Sequence, residues 1–551
     1  MALRLGEILV EKGIITAEQL DSAVKEQAKT KEVLGQILVN MGLVSERQLL
    51  EVLSQQQGIP FVDLREAKID PNAIKNVPAK LARHYKVMPL ELSSNVLTVA
   101  ISDPFDMWPL DDLETNLGYR VEKVLATSAD ISAAIREHYG VGADTIEKIL
   151  GEDKGIKAEA QPKEKVEDLE KMAGDASVVN LVNQILQQGI DDRATDIHFE
   201  RFRDELILRY RVDGILYDTQ VSDNIKYLYS AIISRIKIMS GLDIIERRLP
   251  QDGRAKVRIT GKEYDLRISV LPTLYGENVV IRILPTTMLF DGRDLGMSAK
   301  DDKALQKLIA KPYGIIFVTG PTGSGKSTTL YSCLSRLNTR ERKIVTIEDP
   351  VEYELRGISQ IQVNPKINLT FARTLRSILR HDPDVIMVGE VRDTETAQIT
   401  IQTALTGHLV FSTLHTNDSS GGISRLVDMG IDPFLITSSV EAFIAQRLVR
   451  VICDKCGEKI IDDSFAGGYY KGKGCKACNN SGYSGRTGIY EILVVSEAIR
   501  KMVLQKRSAD EIKKKAIEEG MNTLSDDGWE KVRSGVTTPD EVRRVTQIDN
   551  A

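Results

Sequence analysis

The spacing of apolar positions changes period along the chain and divides it into segments. Leu5-Gly6-Glu7-Ile8-Leu9-Val10 to Gln27 recurs as Leu34-Gly35-Gln36-Ile37-Leu38-Val39 to Gln56, an offset of 29 residues (34 − 5), which marks an internal duplication. In each copy a glycine (Gly13, Gly42) ends a short helix, and Thr16-x-x-Gln19 or Ser45-x-x-Gln48 opens the next as a capping box. Leu20 and Val24, like Leu49 and Leu53, stand four apart on one face, so each copy predicts a helical hairpin with an apolar stripe. From Phe61 to about Gly140 helical and strand-like pieces alternate, Val96 to Ile101 being a clear strand, and a small α/β adaptor is expected.

Between Val141 and Ala176 charges of both signs crowd out large hydrophobics, as in Glu152-Asp153-Lys154 and Lys163-Glu164-Lys165, which predicts a flexible linker. An amphipathic helix follows over Ser177 to Gln188. Thr195 to Glu200 and Glu205 to Gly214 then read as a strand pair closing in the Asp213-Gly214 turn, with more strands at Arg254 to Ile259, Tyr264 to Val270 and Asn278 to Leu284. After Pro285 the runs at Ile315 to Val318, Ile344 to Ile347 and Val385 to Val388 are apolar except for Thr346, the pattern of strands buried on both faces of a parallel sheet. Ser508-x-x-Glu511 and Thr538-Pro539 start C-terminal helices.

At 551 residues the chain should fold as roughly three or four domains, and 42% hydrophobic with 28% charged residues is ordinary for a soluble protein. No apolar run approaches the ~20 residues that span a bilayer. The N-terminus lacks a signal peptide's apolar segment, so a cytoplasmic location is expected. A net charge of −6 argues against broad nucleic-acid binding. Four of the five cysteines cluster near the C-terminus, which in a cytoplasmic chain points to metal rather than disulfides.

The densest chemistry follows the strand at Ile315. Gly320-Pro321-Thr322-Gly323-Ser324-Gly325-Lys326-Ser327-Thr328 fits the G-x-x-x-x-G-K-[ST] phosphate loop between a strand and a helix. Its glycines let backbone N–H groups curl round nucleotide phosphates, Lys326 reaches the β and γ oxygens, and the Ser327 hydroxyl suits Mg2+. An ATP or GTP site follows. Acids stand at the ends of two further strands, Glu348 in Ile347-Glu348-Asp349-Pro350 and Glu390 after Gly389, where a Walker B strand usually has aspartate. A carboxylate beside the γ-phosphate orients water for attack, which makes Glu390 the catalytic candidate and Glu348 the second. His408 and His415, two of six histidines, end strand-like runs and become candidates for phosphate sensing.

The phosphate loop, Thr346 to Pro350, Asp382-Pro383-Asp384 to Asp393 and Thr406 to Asn417 together resemble the ATPases of type II secretion and type IV pilus assembly, and the likeness covers nearly the whole chain. The resemblance implies a RecA-like core, a homohexamer with ATP sites between protomers, and a catalytic Gly-Glu form of Walker B. Arg209-Tyr210-Arg211-Val212-Asp213-Gly214 is similar to the family segment that lends arginines to a neighbouring nucleotide, which gives Arg209 and Arg211 that role. The duplicated segment resembles the family's N-terminal domain, some members of which bind cyclic di-GMP. Arg4-Leu5-Gly6 matches its signature, and Leu34-Gly35 follow Val33 where the second copy lacks the arginine. Partners implied are an inner-membrane platform protein and a membrane-anchored cytoplasmic adaptor, with the chain peripheral to the membrane.

Cys453-x-x-Cys456 and Cys475-x-x-Cys478, eighteen residues apart, fit a closed four-thiolate Zn2+ site, the alternative being two reactive dithiols. In the family this insertion, like the duplicated N-terminal domain, accompanies assembly rather than retraction. The expectation is a multidomain α/β chain: duplicated helices at 1–60, an α/β adaptor at 61–140, a linker at 141–176, a sheet-rich α+β domain at 177–288, a RecA-like P-loop ATPase core at 289–450, a zinc insertion at 451–490 and C-terminal helices at 491–551. Rival readings are a nucleic-acid-translocating motor, which DNA-stimulated hydrolysis would reveal, and a cyclic-dinucleotide-binding regulator with an inert core.

Overall fold

The computed structural model describes residues 5–30, 33–106, 108–143, 145–146, 149, 174–203, 205–285, 295–462 and 468–546. It divides into two compact units, Met1–Ile259 with Asp265–Ile283, and Thr260–Tyr264 with Leu284–Ala551.

The first unit opens with α1 (Leu5–Glu11), α2 (Ala17–Thr30), α3 (Leu34–Asn40) and α4 (Glu46–Gln57). Thr16 and Gln19 exchange capping hydrogen bonds of 2.8 and 3.2 Å, and Ser45 with Gln48 forms the matching box before α4. The duplication extends to packing. A Cβ at Gly6 would meet Leu20 Cδ1 at 2.6 Å and one at Gly35 would meet Leu49 Cδ2 at 3.0 Å, so each second helix rests a leucine on the first helix's glycine. In the first copy the stripe stops there, since Val24 is 46% exposed whereas Leu53 is buried. Arg4 lies outside the described residues.

Strands β1 (Met88–Ser93), β2 (Val96–Ile101) and β3 (Arg120–Leu125) form a sheet in that order, β1 antiparallel and β3 parallel to β2. Leu9, Leu38, Leu50, Leu97, Val99 and Leu125 belong to one apolar core, so the duplicated helices and the α/β piece pack together instead of standing as separate domains. The linker expectation also needs correction at its start. Val141 bridges to Val221 and Ile146 is fully buried, because these apolar residues interrupt the charged stretch; residues 151–173 lie outside the described residues.

The rest of this unit is a six-stranded sheet built from β4 (Ala194–Arg201), β5 (Leu206–Val212), β6 (Ile215–Thr219), β7 (Gln251–Ile259), β8 (Lys262–Thr273) and β9 (Gly276–Pro285), ordered β6-β5-β4-β9-β8-β7. The helix Ala176–Asp191 packs beside β4. The Asp213-Gly214 turn does not close the predicted β4–β5 pair. Both residues have positive φ (50° and 88°), the geometry of a tight hairpin turn, and they join β5 to β6, a strand the pattern did not predict.

The second unit holds a seven-stranded sheet: β10 (Gly314–Thr319), β11 (Ile344–Glu348), β12 (Ser359–Gln362), β13 (Val385–Val388), β14 (Leu409–Leu414), β15 (Val440–Ile452) and β18 (Tyr483–Val494), in the order β12-β11-β13-β14-β10-β15-β18. Its neighbours are parallel except for the β15–β18 edge pair. Apolar cores on both faces explain why β10 and β14 are buried at every position. The core therefore runs beyond residue 450, through β18. The expected cysteine insertion, carrying β16 (Gly457–Ile460) and β17 (Tyr469–Gly472), hangs between β15 and β18. Helices Glu497–Leu504, Ala509–Glu518, Leu524–Arg533 and Pro539–Thr546 complete the unit. Among the described residues no helix is long and apolar enough to cross a membrane.

Candidate functional site

β10 delivers the phosphate loop to the carboxyl edge of the sheet, and the helix Lys326–Leu337 carries it away. Gly320 and Gly325 have φ of 146° and 87°, and a Cβ on either would collide with Gln446, at 2.6 Å from its carbonyl and 2.8 Å from its Nε2. Only glycine satisfies both demands. Lys326 Nζ curls across the loop to the carbonyls of Gly320 (2.8 Å) and Pro321 (3.0 Å). Burial lowers its pKa to about 8, with Glu390 opposing and Arg447 adding to the fall. The Ser324 hydroxyl is buried without a partner, while Ser327 is exposed on the first helical turn. A glycine-walled cradle with one cation and an unpaired buried hydroxyl fits a chain of phosphates.

Thr319 pairs with Leu414, which brings His415 beside Gly320 at the same edge. Glu390 follows β13, with His415 Nε2 3.4 Å from its Oε2 and Arg392 Nε 2.7 Å from its Oε1. Lys326, Glu390 and His415 thus converge on one end of the sheet, where ligands of parallel sheets bind. Gly389 stands where aspartate is usual, and a Cβ there would lie 3.1 Å from the Ile347 carbonyl, a tight approach. Glu348 is different. It is 4% exposed, and its oxygens accept from Tyr331 Oη, Thr346 Oγ1 (2.5 Å) and Gln360 Nε2 (3.1 Å). A carboxylate engaged by three protein donors has little capacity left for a water. His408 needs correction as a phosphate sensor: it precedes β14, its Nδ1 lying 2.9 Å from the Thr403 carbonyl, at the amino edge and six residues of strand, about 20 Å, from His415.

Arg209 and Arg211 lie in the first unit on one face of β5, opposite His198 and Asp196 of β4. Arg209 is ion-paired with Glu200, and Arg211 donates to the Gly214 carbonyl (3.0 Å) with Asp196 Oδ2 at 3.7 Å from its Nε. Of the expected dinucleotide residues, Leu5, Gly6, Leu34 and Gly35 open α1 and α3, and Val33 before α3 is 70% exposed.

The sulfurs of Cys453, Cys456, Cys475 and Cys478 all lie within 4.8 Å of one another, with Cys453–Cys475 and Cys456–Cys478 at 3.8 Å and Cys475–Cys478 at 3.7 Å. A tetrahedron of Zn–S bonds of about 2.3 Å has edges of about 3.8 Å, whereas a disulfide needs about 2.05 Å. Burial pushes the Cys456 thiol up to about 12. At Cys478 the N–H groups of Cys475 (3.2 Å) and Gly482 (3.3 Å) overcome burial and bring it down to about 7.

Several residues around the site were not singled out in the sequence. Gln446 Oε1 accepts from Thr329 Oγ1 of the phosphate helix at 2.7 Å, and Arg447 donates to Asn417. Their signal was present: the polar pair Gln446-Arg447 interrupts β15, an otherwise largely apolar run beside the phosphate strand.

Residues 171–544 match the family model described as type II/IV secretion system protein, and residues 57–145 match the MshEN domain model. The chain is 43% identical to a type IV pilus assembly ATPase, PilB, of Myxococcus xanthus over 98% of each chain. It is 40% identical to a type II secretion system protein E of Xanthomonas campestris over 99% of this chain and 98% of that one. The solved Legionella pneumophila ATPase DotB superposes with a TM-score of 0.51 at 23% identity, covering 68% of this chain and 96% of its own, a likeness of fold.

Proposed function

The chain belongs to the type II/IV secretion system protein family and is an ATP hydrolase, and on that premise we propose that it powers assembly of a filament of pilin-like subunits at the inner membrane. The observation that carries the catalytic part is the meeting of the glycine cradle, Lys326, Glu390 and His415 at one sheet edge. Gly320 to Thr328 hold the phosphates, and Lys326 neutralises the β and γ oxygens. Ser327 holds Mg2+, which supplies further charge neutralisation there. Glu390 orients the attacking water and His415 fixes the Glu390 carboxylate, while Glu348 braces the phosphate helix through Tyr331.

The working assembly is a homohexamer in which Arg209 and Arg211 exchange their acidic partners for the phosphates of a neighbouring protomer. Mixing Lys326→Ala with Arg211→Ala protein should then restore hydrolysis, and no recovery after proven subunit exchange would refute the trans role. Cys453, Cys456, Cys475 and Cys478 hold one structural Zn2+. Arg4, Leu5, Gly6, Leu34 and Gly35 bind cyclic di-GMP, the half-site at Val33 being the weaker. The stroke acts on a membrane platform protein, with a membrane-anchored adaptor holding the motor beside it.

The test is a strain whose sole copy carries Glu390→Gln, scored for surface filaments and for secreted protein. Loss of either, with the chain at normal abundance, is expected. Retention of both would contradict the reading.

A further inference from the structure

The residues that follow His415 are tied from several directions. Arg447 on β15, itself buried, donates through Nη2 to the Asn417 carbonyl (3.1 Å) and to Asn417 Oδ1 (3.3 Å). Thr319 Oγ1, at the end of the phosphate strand, donates to the Asp418 carbonyl at 3.3 Å, and Thr416 Oγ1 donates to the same oxygen at 3.0 Å. The Asp418 carboxylate caps the helix Ser419–Asp428, accepting from Gly421 N (2.8 Å) and Ser420 Oγ (3.3 Å). One more donor reaches it from 95 residues away: Lys513 Nζ, on the helix Ala509–Glu518, at 2.8 Å.

The same ammonium lies 3.5 Å from Glu491 Oε2 on β18. Glu491 is 1% exposed and accepts from Ser419 N (3.0 Å) and Leu524 N (3.4 Å). Lys513 is thus the shared cation of two carboxylates that meet just behind the His415 loop. Without it, the buried Glu491 and the half-buried Asp418 would face each other as like charges, a repulsion that partial burial makes costly. Glu491 is enclosed, so the relief open to the pair is for Asp418 to turn outward. That movement would pull against the ties from Arg447 and Thr319 at Asn417 and Asp418, and so shift His415.

We propose that Lys513 is a positioning residue for ATP hydrolysis: by holding Asp418 against Glu491 it fixes the loop that presents His415 to Glu390. The inference rests on the reading of Glu390 and His415 as the water-orienting pair. Lys513 acts on the His415 side of the site and touches none of Gly320 to Gly325, its nearest link to the cradle being the Thr319–Asp418 hydrogen bond, so its effect falls mainly on turnover rather than on ATP affinity. The C-terminal helices then belong to the catalytic apparatus, through one salt bridge.

Steady-state ATP hydrolysis by the full-length protein tests this with Lys513→Met, which keeps the apolar stem and removes the charge. We expect kcat to fall roughly tenfold with KM within about twofold, since a small misplacement of a catalytic group has effects of this order or larger. Lys513→Arg should recover most of the loss. Asp418→Asn added to Lys513→Met should also recover part of it, because the repulsion is then gone. If Lys513→Met does not fold, Asp418→Asn alone is read: asparagine still caps the helix, and kcat should drop about threefold at constant KM. Wild-type kcat in the variant read, or a loss that neither Lys513→Arg nor the Asp418→Asn combination relieves, would overturn the proposal. Glu390→Gln measured in parallel separates the two levels. If it hydrolyses ATP normally, the underlying site reading falls and the inference with it; if it is inactive while Lys513→Met is unimpaired, only the role of Lys513 falls.

Discussion

Tyr331, on the helix that leaves the phosphate loop, donates its hydroxyl to Glu348 at the end of β11, and both side chains are buried. Burial and the adjacent carboxylate push the tyrosine's pKa upward, so the hydroxyl keeps its proton and stays a donor. Tyr331→Phe should destabilise this unit by about 1 to 3 kcal/mol, the cost of depriving a buried carboxylate of a donor, while turnover persists. Calorimetry beside an ATPase assay checks it. Loss of turnover in a protein of unchanged stability would move Glu348 from bracing to chemistry.

The lowered pKa of Lys326, about 8 with burial as the main cause, sets a pH dependence. Below that value the free enzyme carries the ammonium that ATP needs; as pH rises through it, the cation is lost. kcat/KM should therefore decline above about pH 8, by roughly tenfold per unit, while kcat at saturating ATP holds longer because bound phosphate favours the protonated lysine. A kcat/KM profile flat between about pH 7 and 9.5 would contradict this environment for Lys326.

Metal analysis of protein purified without chelators should give one zinc per chain, and Cys475→Ser should abolish it while ATP binding survives. Removing a ligand loosens the lobe between β15 and β18, which carries none of the phosphate-binding residues. A zinc-free preparation with full activity would leave the four cysteines as thiols.

Cyclic di-GMP binding can be measured by calorimetry on the full chain. Val33 is exposed at the start of α3, so an arginine there is free to reach a ligand. Val33→Arg should tighten binding by about 1.5 to 3 kcal/mol, a typical charge-assisted contact, and Arg4→Ala should remove it. No heat from wild type and none gained by Val33→Arg would leave the duplication as a packing unit.

How much was legible from sequence depended on whether the signal was local. The phosphate loop, the paired Cys-x-x-Cys turns and the two capping boxes each lie within a few residues, so residue type and spacing are enough to single them out. Parallel strands were readable because burial on both faces leaves few polar positions and no charged one, Thr319, Ser412 and Thr413 being the exceptions in β10 and β14. β18 was missed as part of the core sheet: its partner β15 lies across the cysteine insertion, and pairing over that distance leaves no local trace. For the same reason His408 and His415 looked alike in sequence, although one precedes and the other follows the same strand. The Lys513–Asp418 contact joins helices 95 residues apart and follows from the packing alone.

The division of labour between two acids comes down to a paired assay of ATP binding and hydrolysis on Glu390→Gln and Glu348→Gln. Glu390 stands 3.4 Å from His415 at the open phosphate edge, whereas Glu348 is enclosed by Tyr331, Thr346 and Gln360. Glu390→Gln should bind ATP with near-normal affinity and lose roughly 10²-fold or more in turnover, while Glu348→Gln should lose mainly stability. Near-normal hydrolysis by Glu390→Gln, with Glu348→Gln folded and inactive, would contradict it.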